Sequence, residues 1–289
     1  MITFPESNNA ISNRRLDELW LHALYQCNLE CRHCLFSCSP RRDDDQMSLL
    51  EAQEYVTDAV SRGVKAVYLT GGEPLLWPPL RDFLRWYYEQ PQVLPLTILT
   101  NGTLITPEHA GLFSGFLPGG LSLRVSLECY TRENHEDYRG SGSFAKALNG
   151  IRNLNGVGIN PTIAYVNKSG GSLDEYSARL LERDFRVRLW EDYGLEIESL
   201  KIIGAYSKGR FSGQVEMAAS TEQINERIET VQCNYGVAAS RDGVYPCPIL
   251  VDVPPARLAS SLDDALAGML ELNHAPCASC FCLGTTCGN

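Results

Sequence analysis

The sequence has no run approaching the roughly 18–20 apolar residues that a bilayer-spanning helix needs, and residues 1–15 carry no apolar signal-peptide stretch. It also lacks a basic excess. Twenty-five Lys and Arg stand against 35 Asp and Glu, a formal net charge of −10. A general nucleic-acid binder needs a basic face to neutralise phosphates, so that class is excluded. Two long stretches, residues 39–128 and 130–232, hold no cysteine, and Cys129 alone separates them. The expectation is a cytoplasmic protein with neither membrane nor nucleic acid as partner.

What the sequence does have is 11 cysteines, concentrated at its two ends. A reducing compartment and an odd count both argue against a disulfide framework. Hydrophobic residues make up 44 % of 289, enough for one large domain and a small appendage.

Strand-like segments lie at residues 19–25, 65–70, 95–100, 122–127, 158–166 and 199–206. Helical segments stand between them: one opened by the capping box Ser48-Leu-Leu-Glu51, one at 80–89, one begun by Thr106-Pro107, one that Ser143 can cap, and one at 173–189. Strands alternating with helices imply a parallel sheet joined by right-handed crossovers. After about residue 213 the character changes. A helix at 221–231 precedes a hairpin signal, Arg241-Asp242-Gly243, and a second helix at 261–270. From residue 276 the tail is mostly Cys, Gly, Thr and Ala and needs a metal or a partner to be ordered.

Cys27-x3-Cys31-x2-Cys34 follows the first strand directly. Three thiolates on one tight loop suit three corners of an iron–sulfur cubane, leaving one iron open to a small molecule. Zinc more often uses paired two-residue spacings. Cys38 would close that open corner and is read as a bystander. Functional residues of parallel α/β barrels gather at the C-terminal strand ends. Here those ends hold Gly71-Gly72-Glu73, Asn101, Ser126 to Cys129, Asn167 and Tyr206. The two glycines permit close backbone approach. Glu73 can accept from an ammonium, Arg139 can hold a carboxylate, and the Ser126 hydroxyl can reach a ribose or a carboxylate.

These motifs resemble the radical S-adenosylmethionine superfamily. The three-cysteine signature and Gly71-Gly72-Glu73-Pro74 resemble its first two motifs. Val125-Ser126-Leu127-Glu128, His135, Arg139-Gly140, Gly142 and Phe144 resemble its ribose- and carboxylate-binding region, in the version carried by enzymes with a C-terminal SPASM or twitch domain. Those relatives usually have aspartate and glycine where Glu128 and Cys129 stand.

The resemblance implies an α/β fold, a partial (β/α)6 barrel over residues 17–212, with an N-terminal extension at 1–16 and a twitch-like domain at 213–289. It implies a [4Fe–4S] cluster on Cys27, Cys31 and Cys34. S-adenosylmethionine would chelate the open iron, with Glu73 at its amino group, Arg139 at its carboxylate and Ser126 beside its ribose or carboxylate. A one-electron reductant such as flavodoxin or ferredoxin would drive its cleavage to a 5′-deoxyadenosyl radical. Cys233-x13-Cys247 and Cys277-x2-Cys280 look like a twitch set holding one auxiliary [4Fe–4S] cluster, with Cys287 as an alternative to Cys280 and zinc as the rival metal. The short tail beyond Cys287 argues against a second auxiliary cluster. Cys129, Cys282 and Cys287 remain as candidate hydrogen-atom donors to a substrate radical.

The expected reaction is modification of a ribosomally made peptide by crosslink, oxidation or epimerisation. A dehydrogenase or epimerase of a sugar-like, aminocyclitol or nucleoside substrate is the alternative, and a non-catalytic electron carrier the third reading. The absence of a separate leader-gripping domain before the first strand weighs modestly against a peptide.

Overall fold

The computed structural model describes residues 10–11, 14–42, 46–168, 172–214, 219–284 and 287. Six strands, β2 (Glu18–His22), β3 (Ala66–Thr70), β4 (Leu96–Thr100), β5 (Leu121–Ser126), β6 (Thr162–Asn167) and β7 (Ser199–Gly204), lie parallel and side by side in chain order. They follow β1 (Ala10–Ile11) and alternate with helices α1 (Leu49–Ser61), α2 (Leu80–Tyr88), α3 (Pro107–Ser114), α4 (Arg132–Arg139), α5 (Ser143–Asn155) and α6 (Glu175–Tyr193). The sheet is not closed: among the described residues no ladder joins β7 back to β2. The parallel core is therefore an open sheet flanked by helices.

Local chemistry accounts for the helix starts. The Ser48 hydroxyl accepts from the Glu51 amide at 3.2 Å, and the Glu51 carboxylate accepts from the Ser48 amide at 2.7 Å. Ala52, Val56 and Ala59 then form the buried stripe of α1. Thr106 and Pro107 open α3 as expected. Ser143 is instead the first residue of α5, and its hydroxyl donates back to the Gly140 carbonyl at 2.6 Å. The polar stretch 131–138, which has no apolar period, is helical. It forms α4, with His135 as its buried residue.

The C-terminal part is continuous with the core. After α7 (Thr221–Arg227), strand β8 (Gly236–Ser240) pairs parallel to β2 on its free side. It turns antiparallel into β9 (Gly243–Tyr245). The expected hairpin thus extends the barrel sheet. Helix α8 (Leu262–Ala267) and strand β10 (Leu270–Glu271) follow, and β10 pairs with β1. The cysteine-rich tail forms a helix, α9 (Ala275–Leu283). Arg14 ties the N-terminal segment to this region, donating to the carbonyls of Cys233 at 2.8 Å and Gly236 at 2.9 Å. Among the described residues no helix is long and apolar enough to cross a membrane.

Candidate active site

The loop after β2 carries Cys27, Cys31 and Cys34 over the C-terminal ends of the strands, and all three line one cavity of about 220 Å³. Each sulfur has a donor aimed at it. Cys27 faces the Leu29 amide at 3.4 Å and the Asn101 side-chain amide at 3.7 Å. Cys31 faces Arg139 Nη1 at 3.9 Å, and Cys34 faces the Cys38 amide at 3.4 Å. Burial pushes the Cys27 thiol up to about 12. Cys34 moves the other way, to about 5, because the Cys38 thiol donates to it, and the same bond pushes Cys38 up.

The loop is held from the far side of the sheet. After β7, Gly209 adopts φ +60°, and a Cβ there would strike the Cys34 and Leu35 carbonyls. That close approach lets Arg210 donate from Nε to the Cys31 carbonyl at 2.8 Å and from Nη2 to the Cys38 carbonyl at 2.7 Å. Hydrogen bonds from charged donors contribute about 1.5–3 kcal/mol each. Arg210→Met is expected to lower unfolding stability by at least about 1.5 kcal/mol, measured by denaturant titration. It should also speed iron loss from the reconstituted protein.

Gly71 and Gly72 line the cavity, but their lack of side chains serves chain packing. A Cβ on either would collide with backbone of residues 24–26, against which Gly72 and Glu73 make amide hydrogen bonds of 2.8 and 2.9 Å. Glu73 is fully buried and does not line the cavity. Its carboxylate accepts from the Thr100 hydroxyl and the Asn101 amide, each at 2.7 Å, and from the Leu75 amide at 3.2 Å. Burial raises its pKa, and these donors oppose that. In this state Glu73 joins the end of β3 to the end of β4.

Arg139, the last residue of α4, and Ser126, the last of β5, both line the cavity. Arg139 is already engaged. Its Nη2 and Nε donate to Glu128 Oε1 at 2.7 and 3.1 Å. Glu128 also accepts from His33 Nε2 at 2.9 Å and from Lys168 Nζ at 2.6 Å. Its side chain is 0 % exposed. Burial alone would raise this carboxyl, but Arg139, His33 and Lys168 together hold it well below the usual carboxylate range. One carboxylate thus ties the cysteine loop, α4 and the end of β6 together. Spacing gave no sign of this hub, since its partners lie 95, 11 and 40 residues away in sequence.

A second, smaller cavity of about 20 Å³ is lined by Cys233, Cys247, Cys277, Cys280 and Cys287. Cys287 lines the first cavity as well. Cys129 and Cys282 line neither; Cys129 accepts from the Thr131 hydroxyl at 3.3 Å. Among the described residues every cysteine is a free thiol, and no three His, Cys, Asp or Glu side chains converge tightly enough to hold a single metal ion. Arg124, 1 % exposed, also faces the first cavity.

The molecule is therefore an α/β protein with an open parallel sheet whose strand-end cavity carries three thiols from one loop. Residues 23–175 match the family described as the Radical SAM superfamily, and the chain belongs to that superfamily. Mycofactocin maturase MftC of Mycobacterium ulcerans is 30 % identical over 157 residues, 53 % of this chain and 41 % of that protein. The chain thus spans about two fifths of the length of that curated relative. The GTP 3′,8-cyclase of Peptoclostridium acidaminophilum is 26 % identical over 221 residues, 76 % of this chain and 65 % of that protein. Streptococcus suis SuiB shares the fold with a TM-score of 0.62 at 15 % identity, over 88 % of this chain and 66 % of SuiB. That alignment runs past the matched family region into the C-terminal part.

Proposed function

We propose that this chain abstracts a hydrogen atom from a ribosomally made peptide and so modifies it by crosslink, oxidation or epimerisation. The observation that carries the radical chemistry is the sharing of one cavity by the Cys27, Cys31 and Cys34 thiols, Ser126 and Arg139. Their donor set fits a cubane with one corner left open: soft sulfur ligands outside any disulfide, buried at Cys27 and Cys31 and half-buried at Cys34, ringed by N–H donors that offset thiolate charge. Cys27, Cys31 and Cys34 would hold it. Reduced by flavodoxin or ferredoxin, it would supply the electron that splits S-adenosylmethionine into methionine and a 5′-deoxyadenosyl radical.

The protein's own part is to hold and shield. Arg139 would share Nη1, which now faces Cys31 Sγ, with the cofactor's carboxylate, while Glu128 fixes Nε and Nη2. Ser126 offers a hydroxyl beside it. Glu73 would offer the cofactor's ammonium the carboxylate lone pair that its three present donors leave open. In the second cavity, Cys233, Cys247, Cys277 and Cys280 would hold a closed auxiliary [4Fe–4S] cluster, which orders a tail short of apolar material.

The peptide reading is supported by likeness to a maturase, MftC, and to SuiB, which has also been solved with its precursor peptide SuiA. A small-molecule substrate, sugar-like, aminocyclitol or nucleoside, is the second reading. It is favoured by the cyclase match over 76 % of the chain and by a buried cation, Arg124, in the cavity wall.

Anaerobically reconstituted, reduced protein is expected to convert S-adenosylmethionine to 5′-deoxyadenosine, read by liquid chromatography and mass spectrometry. Iron-loaded protein that forms none would end the radical reading. A short peptide encoded beside the gene should then change mass in the same mixture; if such peptides stay unaltered while a cyclitol or nucleoside is consumed, the second reading replaces the first.

A further inference from the structure

The second cavity holds one more thiol than a cubane has corners. Four thiolates close a [4Fe–4S] cluster, yet five cysteines line the cavity. Cys277 and Cys280 are three residues apart on α9 and so share a helix face. Cys287 lies beyond that helix in sequence. Its amide donates to Gln232 Oε1 at 2.6 Å, and its carbonyl accepts from Arg124 Nη1 at 2.7 Å. It is the one described cysteine that lines both cavities. The Tyr206 hydroxyl stands between the two competitors, 3.8 Å from Cys280 Sγ and 3.9 Å from Cys287 Sγ. A phenol has a single proton to donate, so it can donate to one sulfur while accepting from the other.

We propose that Cys280 and Cys287 are alternative ligands for one corner of the second cluster, with Tyr206 serving whichever sulfur is bound. The proposal rests on the auxiliary-cluster assignment made above. The exchange balances without electrons. The Cys287 S–H bond breaks as its iron–sulfur bond forms, and Cys280 takes a proton as its own iron–sulfur bond breaks. Tyr206 passes that proton, accepting from Cys287 and donating to Cys280. When Cys280 is the ligand, the free Cys287 thiol faces the first cavity. Arg124, which holds the Cys287 carbonyl, lines that cavity too.

The test uses the full chain carrying Cys27→Ala, Cys31→Ala and Cys34→Ala, so that only the second cluster forms. Iron and sulfide content and Mössbauer spectra are measured after reconstitution. Cys280→Ala and Cys287→Ala, added singly, should each retain the cluster at near the parent's iron content. The two together should lose a corner, giving a three-iron signal or loss of iron. Cys277→Ala, with no understudy, should lose iron by itself. The proposal is overturned if Cys280→Ala or Cys287→Ala alone loses the cluster, or if the double variant keeps it closed. Circular dichroism separates cluster loss from misfolding, and Cys→Ser versions of each substitution repeat the comparison with volume conserved. Absence of iron with all five thiols intact would sink the auxiliary-cluster assignment itself, a result distinct from loss in one variant.

Discussion

Cys31→Ala is expected to reduce 5′-deoxyadenosine formation to the level of a protein-free control and to remove the iron of the first site alone. Cys31 is 8 % exposed, in the middle of the loop. It is the sulfur toward which Arg139 points, at 3.9 Å. Cys38, the fourth cysteine of that loop, is engaged as a donor to Cys34, so no local substitute restores the lost corner. The informative contrast is Cys38→Ala. Cys38 lines the same cavity, but its amide and thiol act as donors to Cys34. Its loss should leave the iron count unchanged and the turnover reduced. The measurement is parallel iron analysis and product quantification. A Cys31→Ala protein that still forms product, or a Cys38→Ala protein that loses the first site's iron, would show that the three-thiol set is wrong.

Glu128→Gln should have the next largest effect, on stability and cofactor affinity together. The substitution keeps the volume and removes the charge, leaving Arg139 and Lys168 without their buried counter-ion. Breaking one side of a buried ion pair costs about 3–5 kcal/mol. Arg139 would also lose the contact that fixes its direction, so S-adenosylmethionine binding should weaken along with denaturant stability. The pH dependence has a definite sign. A carboxyl held below its ordinary range contributes stability fully above that range, about 4.3 for Glu, and loses it as pH falls through the folded value. The wild type should therefore lose this contribution only below about pH 4.3, and the variant should lack that acid limb. Glu128→Asp, which keeps the charge with a shorter reach, should recover part of both. Equal stability of wild type and Glu128→Gln across that range would mean the hub contributes nothing net.

Much of the site was legible because its chemistry is written in short spacings. Three thiols within eight residues cannot lie far apart, whatever the fold. The strand ends were legible from apolar runs stopped by Gly71-Gly72 and Asn101-Gly102. Helix α4 was not. Its sequence, RENHEDYR, has almost no apolar period, and its one buried side chain, His135, is polar. The tail helix α9 was hidden for the opposite reason. Its small and sulfur-bearing residues read as loop material, yet its cavity-facing cysteines are set by helical spacing. Close backbone approach at Gly71 and Gly72 was legible, but not which segment approaches. Their missing Cβ atoms make room for residues 24–26 of the same chain.

By itself the sequence determined the covalent facts: which residue types exist, how closely they are strung, and that Cys27, Cys31 and Cys34 share a loop after a strand. Those follow from chain connectivity, which no packing can alter. Only the tertiary structure decided that Glu128 gathers His33, Arg139 and Lys168, that Arg210 clamps the cysteine loop from the far side of the sheet, and that Cys287 reaches both cavities. Each of these joins residues that bond lengths leave free to be anywhere. They meet because burial of the sheet brings distant segments together and a buried charge or polar group must then find a partner.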